Sequence, residues 1–230
     1  MYKIVIYDFC HTLVDLESAD AFIHFIGEQD FNKSIYTKEC IRILFKKLKI
    51  IPAIEKIMRN KQPQYSLNKK WILWEIKGYK KDIIDKYAKE YYEKVVKNKL
   101  IQKTVKEIKK QKEKGYTVFI VSASYEPFLK LFTKEFDIDY LVTNEFKYTS
   151  EGIFTGKIKN RDCIGKEKKK RFYEELEKNG IYEYEICASY GDSPSDKYIL
   201  DIAKNKYVIS EKESKDWIKS TDYKEIIYGN

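Results

Sequence analysis

The stretch MYKIVIYDFCHTL, residues 1–13, decides how this chain is read. Lys3 to Tyr7 is a run of β-branched and aromatic residues that passes directly into Asp8. A short apolar run of this kind is the pattern of a buried strand. An open parallel sheet binds its ligands beyond the carboxyl ends of its strands, and Asp8 falls in that place. Two residues later stands Cys10, followed by His11, Thr12 and Leu13.

One strand cannot make a sheet, and the next segment supplies no partner. Residues 15–102 read as helices. Phe22, Ile23, Phe25 and Ile26 form one apolar face; Cys40, Ile41, Leu44, Phe45 and Leu48 form a second, with Pro52 ending that helix or starting another. Trp71, Ile72, Trp74 and Glu75 open a further helix that Gly78 breaks, and Ile83 to Val96 repeats its apolar residues at helical spacing. Beyond residue 103 strands and helices alternate. Helices are expected over 105–114, 126–136, 166–179 and 196–204, with strands over 117–121, 140–142, 185–190 and 206–209. Phe146 to Tyr148 and Ile153 to Thr155 flank Ser150-Glu151-Gly152 as a β-hairpin. The pattern predicts an α/β fold: a doubly wound, mostly parallel, Rossmann-like core. Residues 1–14 and 103–230 make that core, and 15–102 form an inserted helical bundle.

Composition narrows the function classes. Hydrophobic residues make up 43% of the 230 residues and aromatics 15%, too many for a disordered chain. No apolar run approaches the ~18–20 residues that span a bilayer, and the N-terminus is a strand rather than a signal peptide, so a cytoplasmic protein without a membrane partner is expected. The cysteines at 10, 40, 163 and 187 have no metal-site spacing, and Cys40 and Cys187 lie in apolar segments as small core residues. The net charge of +9 suggests nucleic acid, but arginine occurs only at 42, 59, 161 and 171, and the lysines alternate with glutamate along helices. That is the pattern of solvated faces, and no nucleic-acid partner is expected.

Three apolar strands end in polar groups: Asp8, then Ser122-Ala123-Ser124, then Gly191-Asp192-Ser193-Pro194-Ser195-Asp196. A lysine-rich helix start at 165–171 lies between the last two. Taken singly, Asp8 and Ser122 serve equally well as helix or turn caps, and Lys168 as a solvated lysine. Together, carboxylates, a hydroxyl and a lysine at one sheet edge suit a hard cation and a phosphoryl group.

In this arrangement the sequence resembles the haloacid dehalogenase superfamily, in its phosphoserine-phosphatase-like branch. Asp8 to Leu13 stands at the family's D-x-D-G-T-L, and Val121-Ser122-Ala123-Ser124 at its second motif. Cys163-Ile164-Gly165-Lys166-Glu167-Lys168 matches C-x-G-x-x-K, and Gly191 to Asp196 matches G-D-S-x-x-D. The helical insert falls where the family carries its cap. The resemblance implies a Mg²⁺-dependent phosphatase acting on a small-molecule phosphate ester through an aspartyl-phosphate on Asp8. It implies Mg²⁺ on Asp8, Asp192 and the backbone carbonyl of Cys10, and phosphoryl oxygens held by Ser122 and the Ala123 region. Lys168 offsets charge, while Asp196 and Ser193 act from behind. Glu17 matches a glutamate that contacts a substrate amino group in phosphoserine phosphatases. No clear counterpart exists for their carboxylate-binding arginine, of which Arg59 is the nearest candidate. Amino-alcohol, amino-acid and sugar phosphates all remain as substrates. Trp71, Trp74 and the tyrosines of the insert are either pocket lining or core.

Cys10 stands where the family has its acid–base aspartate. Three readings stay open: Cys10 shuttles the proton itself, His11 does so, or the protein is a weak or inactive phosphoryl-binding relative. A phosphotransferase is a further alternative.

Overall fold

The computed structural model describes residues 1–29, 33–50, 53, 66–219 and 221–229. Pro52 and Arg59 lie outside the described residues. Strand β1 (Tyr2–Tyr7) is followed by the helices α1 (Ser18–Gln29), α2 (Lys33–Lys47), α3 (Leu67–Glu75) and α4 (Lys81–Tyr91). α4 continues through a π-helical turn over Tyr92–Val96. The rest is α5 (Gln102–Glu113), β2 (Thr117–Tyr125), α6 (Glu126–Glu135), β3 (Tyr140–Asn144), the strands β4 (Phe146–Tyr148) and β5 (Phe154–Ile158), α7 (Lys166–Lys178), β6 (Tyr184–Gly191), α8 (Lys197–Leu200), β7 (Asn205–Ser210) and β8 (Lys224–Ile227). No helix among the described residues is long and apolar enough to cross a membrane.

The main sheet has six strands in the order β3-β2-β1-β6-β7-β8, and all of its pairings are parallel. β4 and β5 form the expected antiparallel hairpin. The alternation in β1 explains its continuous apolar sequence: Val5 and Tyr7 enter one hydrophobic cluster, Ile4 and Ile6 the other. A parallel strand covered by helices on both faces must be apolar on both. Tyr7 stacks on Tyr190 of β6 at 4.3 Å between ring centres, and Tyr190 on Tyr207 of β7 at 4.7 Å.

The inserted helices join this core at several places. At their root the outgoing and returning chain run side by side, with the Asp15 N–H donating to the Lys99 carbonyl and the Ile101 N–H to that of Leu13. Beyond it, Phe22 of α1 and Tyr91 of α4 pack on Phe128 of α6, each at 5.1 Å. One apolar cluster therefore runs from the sheet through α6 into the insert.

Several expectations are corrected. The helix carrying Trp71 begins earlier, at Leu67, because Ser66 caps it by accepting from the Lys69 N–H at 3.1 Å. Cys40 is exposed and Cys187 half-buried, so neither is a core residue; the buried cysteine is Cys163. On α2 the periodic face is largely open, with Ile41, Leu44 and Leu48 exposed. The helix expected over 196–204 ends at Leu200, since the Lys204 N–H already bonds the Ile186 carbonyl where β7 begins. β8 was not expected at all. It is a short edge strand carrying Lys224 and Glu225, and charge on an edge hides its apolar pattern.

Phe128 is fully buried among Phe9, Phe22 and Tyr91. Phe128→Ala is expected to destabilise the protein by about 3–5 kcal/mol. Urea denaturation checks this, and a loss under about 1 kcal/mol is incompatible with a shared core.

Candidate active site

The strand order assembles the site. β1 lies between β2 and β6, and beyond it the chain order runs in opposite directions to the two edges, which makes a topological switch point. Tyr7 pairs with Ile120 and with Tyr190, so Asp8, Ser122 and Asp192 emerge side by side at the carboxyl ends. The Asp8 N–H donates to the Tyr190 carbonyl at 2.9 Å and fixes the start of the loop.

Lys168 enters from α7. Gly165 caps that helix at φ 57°, in the left-handed region where glycine has no steric penalty, and the turn directs Lys168 inward from the first turn. The Lys168 ammonium donates to Asp8 Oδ1 at 2.7 Å and to Asp196 Oδ1 at 2.5 Å. All three side chains are buried. Asp196 Oδ2 accepts from the N–H groups of Asp192 and Ser193 and from the Ser193 hydroxyl. Its side chain lies so close to Gly191 that a Cβ there would meet it at 2.6 Å. The glycine of G-D-S-x-x-D is thus a packing requirement.

One ammonium serves two carboxylates, and they do not share it equally. Burial works against the charged form of Asp196, but Lys168 and the two backbone donors hold it below the ordinary carboxylate range. Burial pushes Asp8 up to about 7 against the pull of Lys168. Burial and the neighbouring Asp196 also raise Asp192. Lys215, on the loop after β7, donates to the Asp192 carbonyl and approaches its carboxylate at 3.4 Å. Asp8, Asp192 and Asp196 bring ligand oxygens within 4.8 Å of one another. Asp196 has its oxygens committed, whereas Asp8 and Asp192 are left short of positive charge. Such a hard oxygen set, with a charge deficit, fits a divalent cation like Mg²⁺.

A cavity of about 280 Å³ opens on this floor, and Asp8, Cys10, Ser122, Ala123, Lys168, Asp192 and Ser193 line it. Glu17 and His11 stand at its rim, while Asp196 lies behind it. Glu17 is 77% exposed and lies 3.6 Å from His11 Nε2. Trp71 and Trp74 line a different cavity, of about 690 Å³, between α3 and the hairpin. None of its described lining residues is a carboxylate, a cysteine or a histidine, and the residues of the four motifs gather at the smaller one.

Cys10 is drawn inward. Its Sγ lies 3.0 Å from Ser18 Oγ, which lies 2.7 Å from Ser124 Oγ. Burial, with the nearby Asp8 charge, pushes the thiol up to about 12. His11 adopts φ 50°, the conformation that suits the glycine found here in the resembling family, and Glu17 raises its imidazole above the usual range. Ser18, Lys69, Asp162 and Lys215 were not expected at the site; their proximity is tertiary, and no spacing in the sequence marks them.

Residues 5–201 match the family of haloacid dehalogenase-like hydrolases. The chain belongs to that family. Within it the likeness is to the phosphoserine-phosphatase-like branch. Phosphoserine phosphatase of Archaeoglobus fulgidus is 30% identical over 106 residues, which cover 46% of this chain and 30% of that protein. The chain thus spans under a third of that curated relative. A protein of unknown function from Bordetella pertussis Tohama I has a similar structure, with a TM-score of 0.77 at 14% identity and 98% of each chain covered. A phosphoserine phosphohydrolase-like protein from Francisella tularensis gives 0.59 at 18% identity, over 97% of this chain and 94% of that one. At these identities the structural likeness speaks for the fold.

A thiol at about 12 is roughly one part in 10⁴ thiolate at pH 8. Iodoacetamide at that pH is expected to modify exposed Cys40 in the native protein and leave Cys10 and Cys163 intact. Peptide mass mapping reads the result, and alkylation of Cys10 at the rate of Cys40 contradicts the burial described.

Proposed function

We propose that the protein is a Mg²⁺-dependent phosphatase that hydrolyses a small phosphomonoester through an aspartyl-phosphate on Asp8. The observation that carries this reading is the buried Asp8 carboxylate, held by Lys168 at 2.7 Å on the floor of a cavity shared with Ser122 and Asp192. In this reading residues 15–102 act as the cap over a core of residues 1–14 and 103–230.

An Asp8 oxygen forms the new bond to phosphorus as the ester P–O bond breaks. The leaving oxygen takes a proton from Cys10, His11 or a water. A water then bonds to phosphorus as the Asp8–phosphorus bond breaks, gives up a proton to the same group, and leaves inorganic phosphate and the free Asp8 carboxylate. Lys168 holds the Asp8 carboxylate in place and offsets charge on the phosphoryl oxygens, and the Ser122 hydroxyl donates to one of them. Asp8, Asp192 and the Cys10 carbonyl would hold Mg²⁺, which supplies charge neutralisation between two anions. Asp196 and Ser193 fix Lys168 and Asp192 in orientation. The 280 Å³ of the cavity suits a small leaving group, an amino-alcohol, amino-acid or sugar phosphate, with Glu17 at the rim for an ammonium.

Cys10 supports a second reading, a phosphoryl-binding protein with weak turnover. Its thiol is tied to Ser18 and is a poor substitute for a carboxylate in proton transfer.

A screen of metabolite phosphates with Mg²⁺ tests both. Hydrolysis should be lost in Asp8→Asn and on chelation, and return when Mg²⁺ is restored; activity surviving in Asp8→Asn overturns the assignment. Cys10→Asp is expected to raise turnover by about 10²–10⁴-fold, the usual contribution of general acid–base catalysis. A silent wild type with an active Cys10→Asp selects the binding protein.

A further inference from the structure

Lys69 is a cap-borne lysine with an unusual location. It lies in the first turn of α3, yet its ammonium reaches the core, donating to Asp162 Oδ1 at 2.6 Å and to the Ala123 carbonyl at 3.0 Å. Both partners of the ion pair are largely buried, at 13% and 10% exposure. Asn144, at the end of β3, donates its Nδ2 to the same two acceptors, each at 2.7 Å. Two donors and two acceptors therefore close a ring, and three of the four belong to the core. The Asn144 Oδ1 in turn accepts from the Cys163 N–H at 3.0 Å, at the start of the segment that leads to Lys168.

The Ala123 carbonyl needs such partners. The pairing of β2 with β3 is interrupted between Val121 and Tyr125, so the backbone over 122–124 bulges out of the ladder. Across a planar trans peptide, the carbonyl of one residue and the N–H of the next point in opposite directions. Holding the Ala123 oxygen toward Lys69 and Asn144 turns the Ser124 N–H the other way. There it lies 3.3 Å from Ser122 Oγ, which lines the cavity beside Asp8.

We infer that Lys69 is a positioning residue for the phosphoryl pocket, orienting the Ala123–Ser124 peptide from the cap so that seating the cap and shaping the pocket are one event. A buried ion pair contributes little net stability, because desolvation offsets its attraction, so a stabilising role alone accounts poorly for this lysine. Its place in the Asn144 ring gives it a geometric role. The inference rests on the phosphatase reading and predicts what happens to it when Lys69 is changed.

The test uses inorganic phosphate as the probe, titrated calorimetrically into the full chain with Mg²⁺, and needs no turnover. Lys69→Met should weaken phosphate binding about tenfold and speed amide exchange over residues 66–75. Asp162→Asn is the decisive second variant. Removing a negative charge near the pocket would tighten an anion by electrostatics alone, whereas loss of the Lys69 anchor weakens it, here by about threefold. In steady-state assays the losses should appear in KM more than in kcat, and Lys69→Arg should recover part of the affinity. Tighter phosphate binding in Asp162→Asn, or unchanged binding in Lys69→Met, overturns the inference, as does loosening of α3 without any change in phosphate affinity. A wild type that holds no phosphate removes the phosphatase reading and this one together; a wild type that binds, with both variants unaltered, removes this one alone.

Discussion

The structure of the site depends on one buried cation. Lys168 is withdrawn from water, and a buried ammonium is tolerable only where carboxylates replace its hydration. Asp8 and Asp196 do so at 2.7 and 2.5 Å, and the surrounding features serve that contact. Gly165 permits the helix start that turns Lys168 inward, and Gly191 leaves room for the Asp196 side chain. Asp196 is itself fixed by the backbone donors of Asp192 and Ser193, so the residue holding the lysine also shapes the loop that presents Asp192. The unequal sharing of the ammonium leaves Asp8 the less satisfied carboxylate, the one that the proposed phosphatase uses as its nucleophile.

The two ends of the helical insert are held by different forces. Near its root the contact is apolar, through Phe22, Tyr91 and Phe128 in a cluster continuous with the sheet core. Over the cavity it is polar, through Lys69 on Asp162 and the Ala123 carbonyl. Water can replace hydrogen bonds at the second place at modest net cost, while opening the first exposes aromatic surface. In the proposed phosphatase, the cap is thus anchored by aromatic packing near its root and by polar groups over the cavity.

Much of the fold was legible because its signals are local. The β1 run, the alternation of strands and helices after residue 103, the hairpin around Gly152 and the four motifs each follow from neighbouring residues. Where the expectations failed, the deciding partner was distant. β8 is completed by β7, and of the apolar face on α2 Phe45 packs on Trp71 while Cys40, Ile41 and Leu44 stay exposed. Trp71 and Trp74 lie on α3 as helical spacing suggests, but which cavity they line depends on the hairpin across from them.

The sequence by itself determined which groups are available and in what order: a strand running into Asp8, a serine after β2, Lys168 three residues after a glycine, and Asp192 and Asp196 in one turn. These are set by residue type and short spacing, which fix strand ends and helix starts. Only the tertiary structure decided where Cys10 turns and what Lys69 does. The thiol meets Ser18, whose hydroxyl meets Ser124, 106 positions further along the chain, and Lys69 meets Asp162, 93 positions away. No local pattern encodes such contacts; they arise when the sheet order brings strand ends together and the helices close over them.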